Sequence, residues 1–364
     1  MVLKNSFYNL YEGKRVLITG DTGFKGSWLA IWLKELGAEV FGYALPPKRG
    51  EDNFVLCELE SKIIHRNGDI RDKESLRVFF KEVQPDITFH LAAQPLVIDS
   101  YNDPHTTFET NLMGTVNFFE AVRATSSVKV ALNITSDKCY QNNEWIWGYR
   151  ENDPLGGKDP YSASKGCSEL ITASYIHSFF KDGASPSTAS ARAGNVIGAG
   201  DWAENRIVPD FFRAIERNQS LYLRYPDATR PWQHVIEPLS GYLLLGAKLF
   251  SNGKSFSGGW NFGPQGTSNK TVLELVQSMI ETIKKGSLEL SKDNHLHEAS
   301  LLQLDISKAK SLLKWEPVLD FLQTVDFTAK GYLASSNLYE SRVSQIQEYT
   351  AIGSAQQLSY LTLN

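Results

Sequence analysis

The chain has 364 residues, of which 42% are hydrophobic and 21% charged, with a formal net charge of −4. This is ordinary globular composition with enough apolar residues for one large core or two interlocked ones, which excludes a disordered chain and an electrostatic footprint for nucleic acid. Cys57, Cys139 and Cys167 are scattered, odd in number and without metal-ligand spacing, so reduced thiols are expected, with no disulfide framework and no metal site.

Residues 1–11 hold no continuous apolar core, and no stretch approaches the roughly 18 apolar residues that cross a bilayer, so a soluble cytoplasmic protein is expected. The first half then alternates short apolar runs with helical patterns. A strand over 15–19, a helix over about 26–36 and a strand over 39–44 make a βαβ unit. The rhythm continues with a strand over 63–65, a helix over 73–83, a strand over 87–90, a helix over 107–124 and a strand over 128–134. A helix over 160–180 and a strand over 187–192 complete it. Five or more strands in this order imply an α/β fold with a doubly wound, Rossmann-like parallel sheet. Beyond residue 190 the text turns to loops rich in Gly, Asp, Asn and aromatics, expected to form a smaller α/β substrate-binding lobe that includes Asn261–Pro264 and a helix starting near Thr271. The expected division is a dinucleotide-binding domain over 1–190 with some later segments returning to it, a substrate lobe over 191–340 and a mostly polar tail over 341–364.

Directly after the first strand comes Thr19-Gly20-Asp21-Thr22-Gly23-Phe24-Lys25-Gly26. Glycines permit the tight turn and close backbone approach, and the helix that follows offers unpaired N–H groups and a positive dipole end to a pyrophosphate. Further on, Tyr161 and Lys165 are spaced by four at the start of a helical stretch, which puts both on one face. Ser136 ends the fifth strand.

These residues resemble the extended short-chain dehydrogenase/reductase family, whose fingerprint TGxxGFxG is matched at Thr19, Gly20, Gly23, Phe24 and Gly26, and the resemblance runs to about residue 330. It implies a nicotinamide dinucleotide, NAD, held by Gly20, Gly23, Phe24 and Gly26. Asp69 and Ile70 would lie beside the adenine, Leu91, Ala92 and Ala93 over the nicotinamide ribose, and Tyr161 and Lys165 at the reacting end. The second strand ends Tyr43-Ala44-Leu45, without the acid that usually holds the adenosine ribose. Lys48 and Arg49, close behind it, are either solvated loop charges or tolerant of a 2′-phosphate, so NAD follows from the reaction type rather than from the adenosine pocket.

The resemblance also implies chemistry. A hydroxyl–Tyr–Lys set oxidises a sugar hydroxyl, and bringing a tyrosine from its pKa of about 10 to near 7 takes roughly 4 kcal/mol of phenolate stabilisation, from a nearby ammonium and the oxidised nicotinamide. In sugar-nucleotide 4,6-dehydratases two ionisable residues follow the hydroxyl residue. Here they are Asp137 and Lys138, with Asp137 the expected acid for the departing C6 hydroxyl. Lys138 is either a neutral amine acting as the C5 base or an ammonium stabilising the enolate. An epimerase has no use for such a pair. The Asp-Lys version implies CDP-glucose as the substrate and deoxysugar formation for surface polysaccharide as the setting. A 4-epimerase, a dehydratase of a UDP, GDP or dTDP sugar, and a non-catalytic NAD-binding protein are the alternatives. On the substrate side the resemblance points to Gln94, Asn195, Trp202, Arg206 and Arg230, the last as a guanidinium fork on the diphosphate. His234 is expected to be structural. Related enzymes are commonly homodimers built on a four-helix contact, here from the helices near 105–124 and 160–180.

Overall fold

The computed structural model describes residues 3–290 and 301–362. Seven strands form the expected sheet: β1 (Arg15–Thr19), β2 (Glu39–Ala44), β3 (Ile64–Asn67), β4 (Ile87–His90), β5 (Val130–Ile134), β6 (Ser187–Ala193) and β7 (Gly258–Phe262). Their order is β7-β6-β5-β4-β1-β2-β3, and every pairing is parallel. Strands β4, β5 and β6 are buried at every position. A sheet covered on both faces has no wet side, which is why these segments read as unbroken apolar or small-residue runs instead of alternating ones. The winding reverses between the neighbours β1 and β4, so their carboxyl ends open on one crevice, the place where such sheets bind ligands.

The principal helices are α1 (Phe24–Glu35), α2 (Lys73–Val83), α3 (Gly114–Arg123), α4 (Pro160–Ser178), α5 (Ile207–Glu216), α6 (Ile236–Asn252), α7 (Val272–Ile283), α8 (Phe321–Leu333) and α9 (Leu338–Ala355). Asp72 caps α2 by accepting from the Ser75 N–H at 3.0 Å. The single helix expected over 107–124 is divided: Pro104–Phe108 leads into a wide π-type turn at Glu109–Met113 and then α3. Such turns insert a residue into a helix and re-aim its neighbours. This one holds Asn111, whose amide oxygen accepts from the Gln94 N–H at 2.9 Å and whose Nδ2 donates to Ser164 on α4 at 2.8 Å.

Two expectations are corrected. Asn261 and Phe262, assigned to the lobe, lie in β7 at the edge of the main sheet, where Asn261 is in register with Arg192 of β6. A five-residue strand carrying two glycines and an asparagine has too little apolar signal to stand out from the surrounding loops. Residues 341–364 are not a tail as far as residue 362, because residues 341–355 belong to α9, packed against α1. Helix α1 buries Trp28, Leu29, Ile31, Trp32 and Leu33, and a helix apolar around most of its girth needs cover on both sides. The sheet supplies one side and α9 the other. Trp32 meets Tyr349 edge to face at 5.8 Å, and the Arg342 guanidinium lies 5.5 Å from the Trp28 ring. Helix α9 reads as polar because its inward side chains include Arg342 and Gln345, which donate to Asn53 Oδ1 at 3.0 Å and to the Phe327 carbonyl at 2.6 Å.

Helices α5, α7 and α8 enclose a separate apolar cluster that includes Phe211, Trp232, Leu275, Met279 and Val325, the core of the expected lobe. Among the described residues no helix is long and apolar enough to cross a membrane.

Candidate active site

The turn from β1 into α1 is closed so tightly that only glycine fits twice. Gly20 has φ +82°, and a Cβ there would stand 2.6 Å from the Ala92 nitrogen; one on Gly26 would stand 2.1 Å from the Gly20 carbonyl oxygen. The turn is thereby pressed against the loop that follows β4, where the Leu91 N–H donates to the Thr19 carbonyl at 2.9 Å. Gly23 precedes the first residue of α1, so the free N–H groups of the first turn open on the crevice between the two loops. Phe24 reaches the opposite wall, its ring 3.4 Å from the place a Cβ on Gly198 would take. A cradle that any larger residue would fill, at a helix N-terminus and at the sheet's switch point, fits the diphosphate of a dinucleotide.

The missing acid after β2 has a counterpart from another direction. Gly42 leaves its side-chain space to the carboxylate of Asp21, whose Oδ2 lies 2.0 Å from where a Cβ would be. That oxygen is 2.7 Å from His65 Nδ1, and His65 Nε2 is 3.1 Å from Asn67 Oδ1. Asp69 has both carboxylate oxygens held by the Arg71 guanidinium, at 3.0 and 2.6 Å for Oδ2. Ile70 is buried against Gly114.

At the carboxyl end of β5 the chain lays down Thr135, Ser136, Asp137 and Lys138 in succession. Ser136 donates to Asp137 Oδ1 at 2.9 Å, accepts from the Lys138 N–H at 3.3 Å and shares a hydrogen bond with the Tyr161 hydroxyl. Tyr161 and Lys165 are buried on α4, whose start is fixed by Asp159 as N-cap and Pro160 in the first turn. Burial pushes the Tyr161 hydroxyl up to about 12, with the Ser136 hydrogen bond pulling the other way. Burial also brings the Lys165 ammonium down to about 8 against the opposing charge of Glu169. In the field of the protein alone Tyr161 is therefore a neutral phenol, and its ionisation waits on positive charge brought beside it. Lys138 is half-buried and makes no side-chain hydrogen bond or ion pair among the described residues.

Beneath this layer lies a polar floor centred on the Glu169 carboxylate. Glu169, one turn beyond Lys165, accepts from Arg192 Nη2 at 2.6 Å, from Ser190 Oγ at 2.6 Å and from Thr135 Oγ1. Arg192 also donates to Tyr140 at 2.5 Å, and the Tyr140 hydroxyl donates to Asn261 on β7 at 2.8 Å. This links the residue preceding Ser136 to β6, β7 and α4.

A family profile described as GDP-mannose 4,6 dehydratase matches residues 17–328. The chain belongs to that family. Within this dehydratase family it is 48% identical over 331 residues to the CDP-glucose 4,6-dehydratase of Salmonella typhimurium, covering 90% of this chain and 92% of the relative. The dTDP-glucose 4,6-dehydratase of Xanthomonas campestris is 24% identical, over 88% and 93% of the two chains. Among solved structures, the dTDP-glucose 4,6-dehydratase of Bacillus anthracis in complex with NAD superposes with a TM-score of 0.71 at 20% identity, over 92% of this chain and 99% of that one. The UDP-glucose 4-epimerase of Thermotoga maritima with UDP-glucose gives a TM-score of 0.75 at 22% identity, over 87% and 97%. The fold of this dehydratase family member is thus shared with both chemistries.

The structure gathers Ser136, Asp137, Tyr161 and Lys165 into one cluster, with Arg206 close enough to act on Tyr161 electrostatically. Arg206 is held by Asp201 Oδ2 at 2.7 Å. Asn195 is half-buried beside Gly194, which lies against Asp137. Leu91, Ala92 and Ala93 are half-buried on the crevice wall, Leu91 also packing against the main core and Ala92 against the second. Other expected substrate residues are engaged with the protein's own groups. The Gln94 amide is spent locally, on Leu96 and Thr107. Trp202 packs in the lobe against Tyr332 at 5.2 Å. Arg230 sits in a short strand, Thr229–Pro231, paired with Asn269–Thr271, and donates to the Thr229 carbonyl at 2.9 Å. His234 is wholly buried, and burial brings its pKa down to about 3, in keeping with a structural role. Sequence reasoning missed Asn111 and Glu169. Glu169 had a signal, its spacing of four from Lys165.

Proposed function

We propose that the chain is an NAD-dependent CDP-glucose 4,6-dehydratase, forming CDP-4-keto-6-deoxyglucose in the cytoplasm for deoxysugar synthesis. The observation that carries this is the run Ser136-Asp137-Lys138 opposite Tyr161 and Lys165: the set holds an acid and a cation more than an alcohol oxidation or an epimerisation uses. The 48% relative supports the choice of cytidine nucleotide.

NAD held by the glycine turn of β1–α1, with its nicotinamide beside Tyr161 and Lys165, would supply the two-electron chemistry: a hydride acceptor for C4 and a hydride donor for C6. Tyr161 receives the C4 hydroxyl proton while Ser136 bonds the same oxygen, and Lys165 supplies the positive charge that favours the phenolate. Once C4 is a ketone, C5–H is acidic. Asp137 gives a proton to the C6 hydroxyl, which departs as water, and Lys138, adjacent to it, either takes the C5 proton as a neutral amine or, as an ammonium, stabilises the enolate while another group takes that proton; a proton returns to C5 as hydride adds at C6. Residues 1–190 with β7 and α6 hold the dinucleotide and the 191–340 lobe the sugar nucleotide, with Asn195, Arg206 and Arg230 on its diphosphate side. Incubating the purified protein and NAD with CDP-, UDP-, GDP- and dTDP-glucose tests the reading. A 4-keto product, read by its ultraviolet absorbance in alkali, is expected from CDP-glucose first; its absence there sinks the proposal.

A homodimer fits the same picture. Met113, Leu170 and Phe179 are exposed on the two helical segments expected to make a four-helix contact, at 51%, 59% and 49%, and light scattering on a size-exclusion column reads the stoichiometry.

A further inference from the structure

Lys25, in the variable place before the last glycine of the fingerprint, has so far been given no part. It is the second residue of α1, half-buried, and its side chain makes no hydrogen bond or ion pair among the described residues. Its charge stands in the field of four others: Arg206 and Lys165 oppose it, Asp137 and Asp201 favour it. Both acids are already engaged. Asp201 Oδ2 holds Arg206 at 2.7 Å, and Asp137 Oδ1 accepts from Ser136 at 2.9 Å. Burial, with Arg206 and Lys165, brings the Lys25 ammonium down to about 8. A partly desolvated cation among two others, with no anion bonded to it, is costly to keep.

The position says which anion would relieve it. The root of Lys25 is fixed in the first turn of α1, at the cradle, and its ammonium interacts with Lys165 at the reacting end. An anion between these limits is the diphosphate linking the two halves of a dinucleotide, while the nucleotide-sugar diphosphate would be met first by the lobe's own Arg206 and Arg230. Resting on the dinucleotide reading above, we propose that Lys25 is a cofactor-binding residue whose ammonium donates to the diphosphate of NAD, adding a charged side-chain donor to a cradle otherwise made of backbone N–H groups and a helix end.

The test is direct titration, by calorimetry or tryptophan fluorescence, of NAD and separately of CDP into the wild type, Lys25→Met and Lys25→Arg, with thermal melts to establish that each is folded. Lys25→Met is expected to raise the Kd for NAD about tenfold or more, the scale of one charge-assisted hydrogen bond, to leave the Kd for CDP unchanged, and to be largely rescued in Lys25→Arg. An unchanged NAD affinity in Lys25→Met overturns the inference, as does a loss that falls on CDP instead. If Lys25→Met does not fold, Lys25→Gln takes its place with the same expectations. A wild type that binds no NAD removes the dinucleotide reading and this inference with it, whereas a wild type that binds NAD as tightly as Lys25→Met removes the inference alone.

Discussion

Two buried ion pairs flank the crevice, and they are built differently. Glu169 and Arg192 meet at 2.6 Å with side chains 3% and 5% exposed; Asp21 and His65 meet at 2.7 Å with side chains 0% and 4% exposed. Depth and distance are the same, and the donors are not. Burial pushes the Glu169 carboxyl up, but the charge of Arg192 and the hydrogen bonds from Arg192, Ser190 and Thr135 more than reverse it, leaving its pKa below the ordinary value. For Asp21 burial wins, and its pKa ends above the ordinary value despite His65. Among the described residues its Oδ1 has no hydrogen-bond partner; in the other pair the unpartnered atom is on the cation, Arg192 Nε, and the Glu169 carboxylate is fully supplied. A buried carboxylate is held as an anion by a full set of donors, not by a single ion pair.

The sharpest way to break the comparison is to remove the cation from the pair whose carboxylate has the most donors. Arg192→Met leaves Glu169 charged and buried with only hydroxyl donors, so a loss of about 3–5 kcal/mol in urea denaturation is expected. A loss under about 1 kcal/mol, an ordinary surface effect, would mean that Glu169 simply takes a proton and that the floor is no anchor. Because Thr135 on the same carboxylate precedes Ser136, turnover should fall further than the folded fraction accounts for.

His65→Leu is the matching experiment on the other pair, and its effect should be smaller. Asp21 can relieve itself by protonation, since burial has already moved it that way, so the expected loss at mildly acidic pH is about 1–3 kcal/mol, that of one buried hydrogen bond. A loss equal to that of Arg192→Met would show that His65 is as obligatory as Arg192, and the distinction drawn from donor count would fail.

How much of this was legible in the sequence follows from which interactions are local in the chain. The cradle and the Tyr161–Lys165 pair were readable because turn and helix geometry fix them within a few residues. Glu169 continues the same helical face, but its purpose appears only when Thr135, just past β5, and Ser190 and Arg192 of β6 arrive, separations of 34, 21 and 23 residues. Lys25 hid inside a fingerprint that leaves its place unspecified. Strand β7 and helix α9 were misplaced because their polar inward residues, Asn261, Arg342 and Gln345, are satisfied by partners far away in sequence. A hydropathy pattern registers the polarity and not the partner.

The subtlest contrast is in pH. For His65, burial opposes the imidazolium, and the hydrogen bond and charge of Asp21 outweigh it, so its folded pKa stands above 6.5. A group whose pKa is raised on folding stabilises fully below its unfolded value, about 6.5 for histidine, and loses that contribution as pH rises through the folded value. Asp21, also raised, slopes the same way from about pH 4 upward. Glu169 is lowered, so its contribution is complete above the unfolded value of about 4.3 and is lost only as pH falls through the folded one. The stability gap between wild type and His65→Leu should therefore narrow steadily as pH climbs above about 6.5, while the gap to Arg192→Met stays level from mildly acidic to mildly alkaline conditions. Urea titrations of the three proteins across that range read both slopes, and a level gap for His65→Leu would mean that the Asp21 pair carries no ionic character for histidine titration to remove.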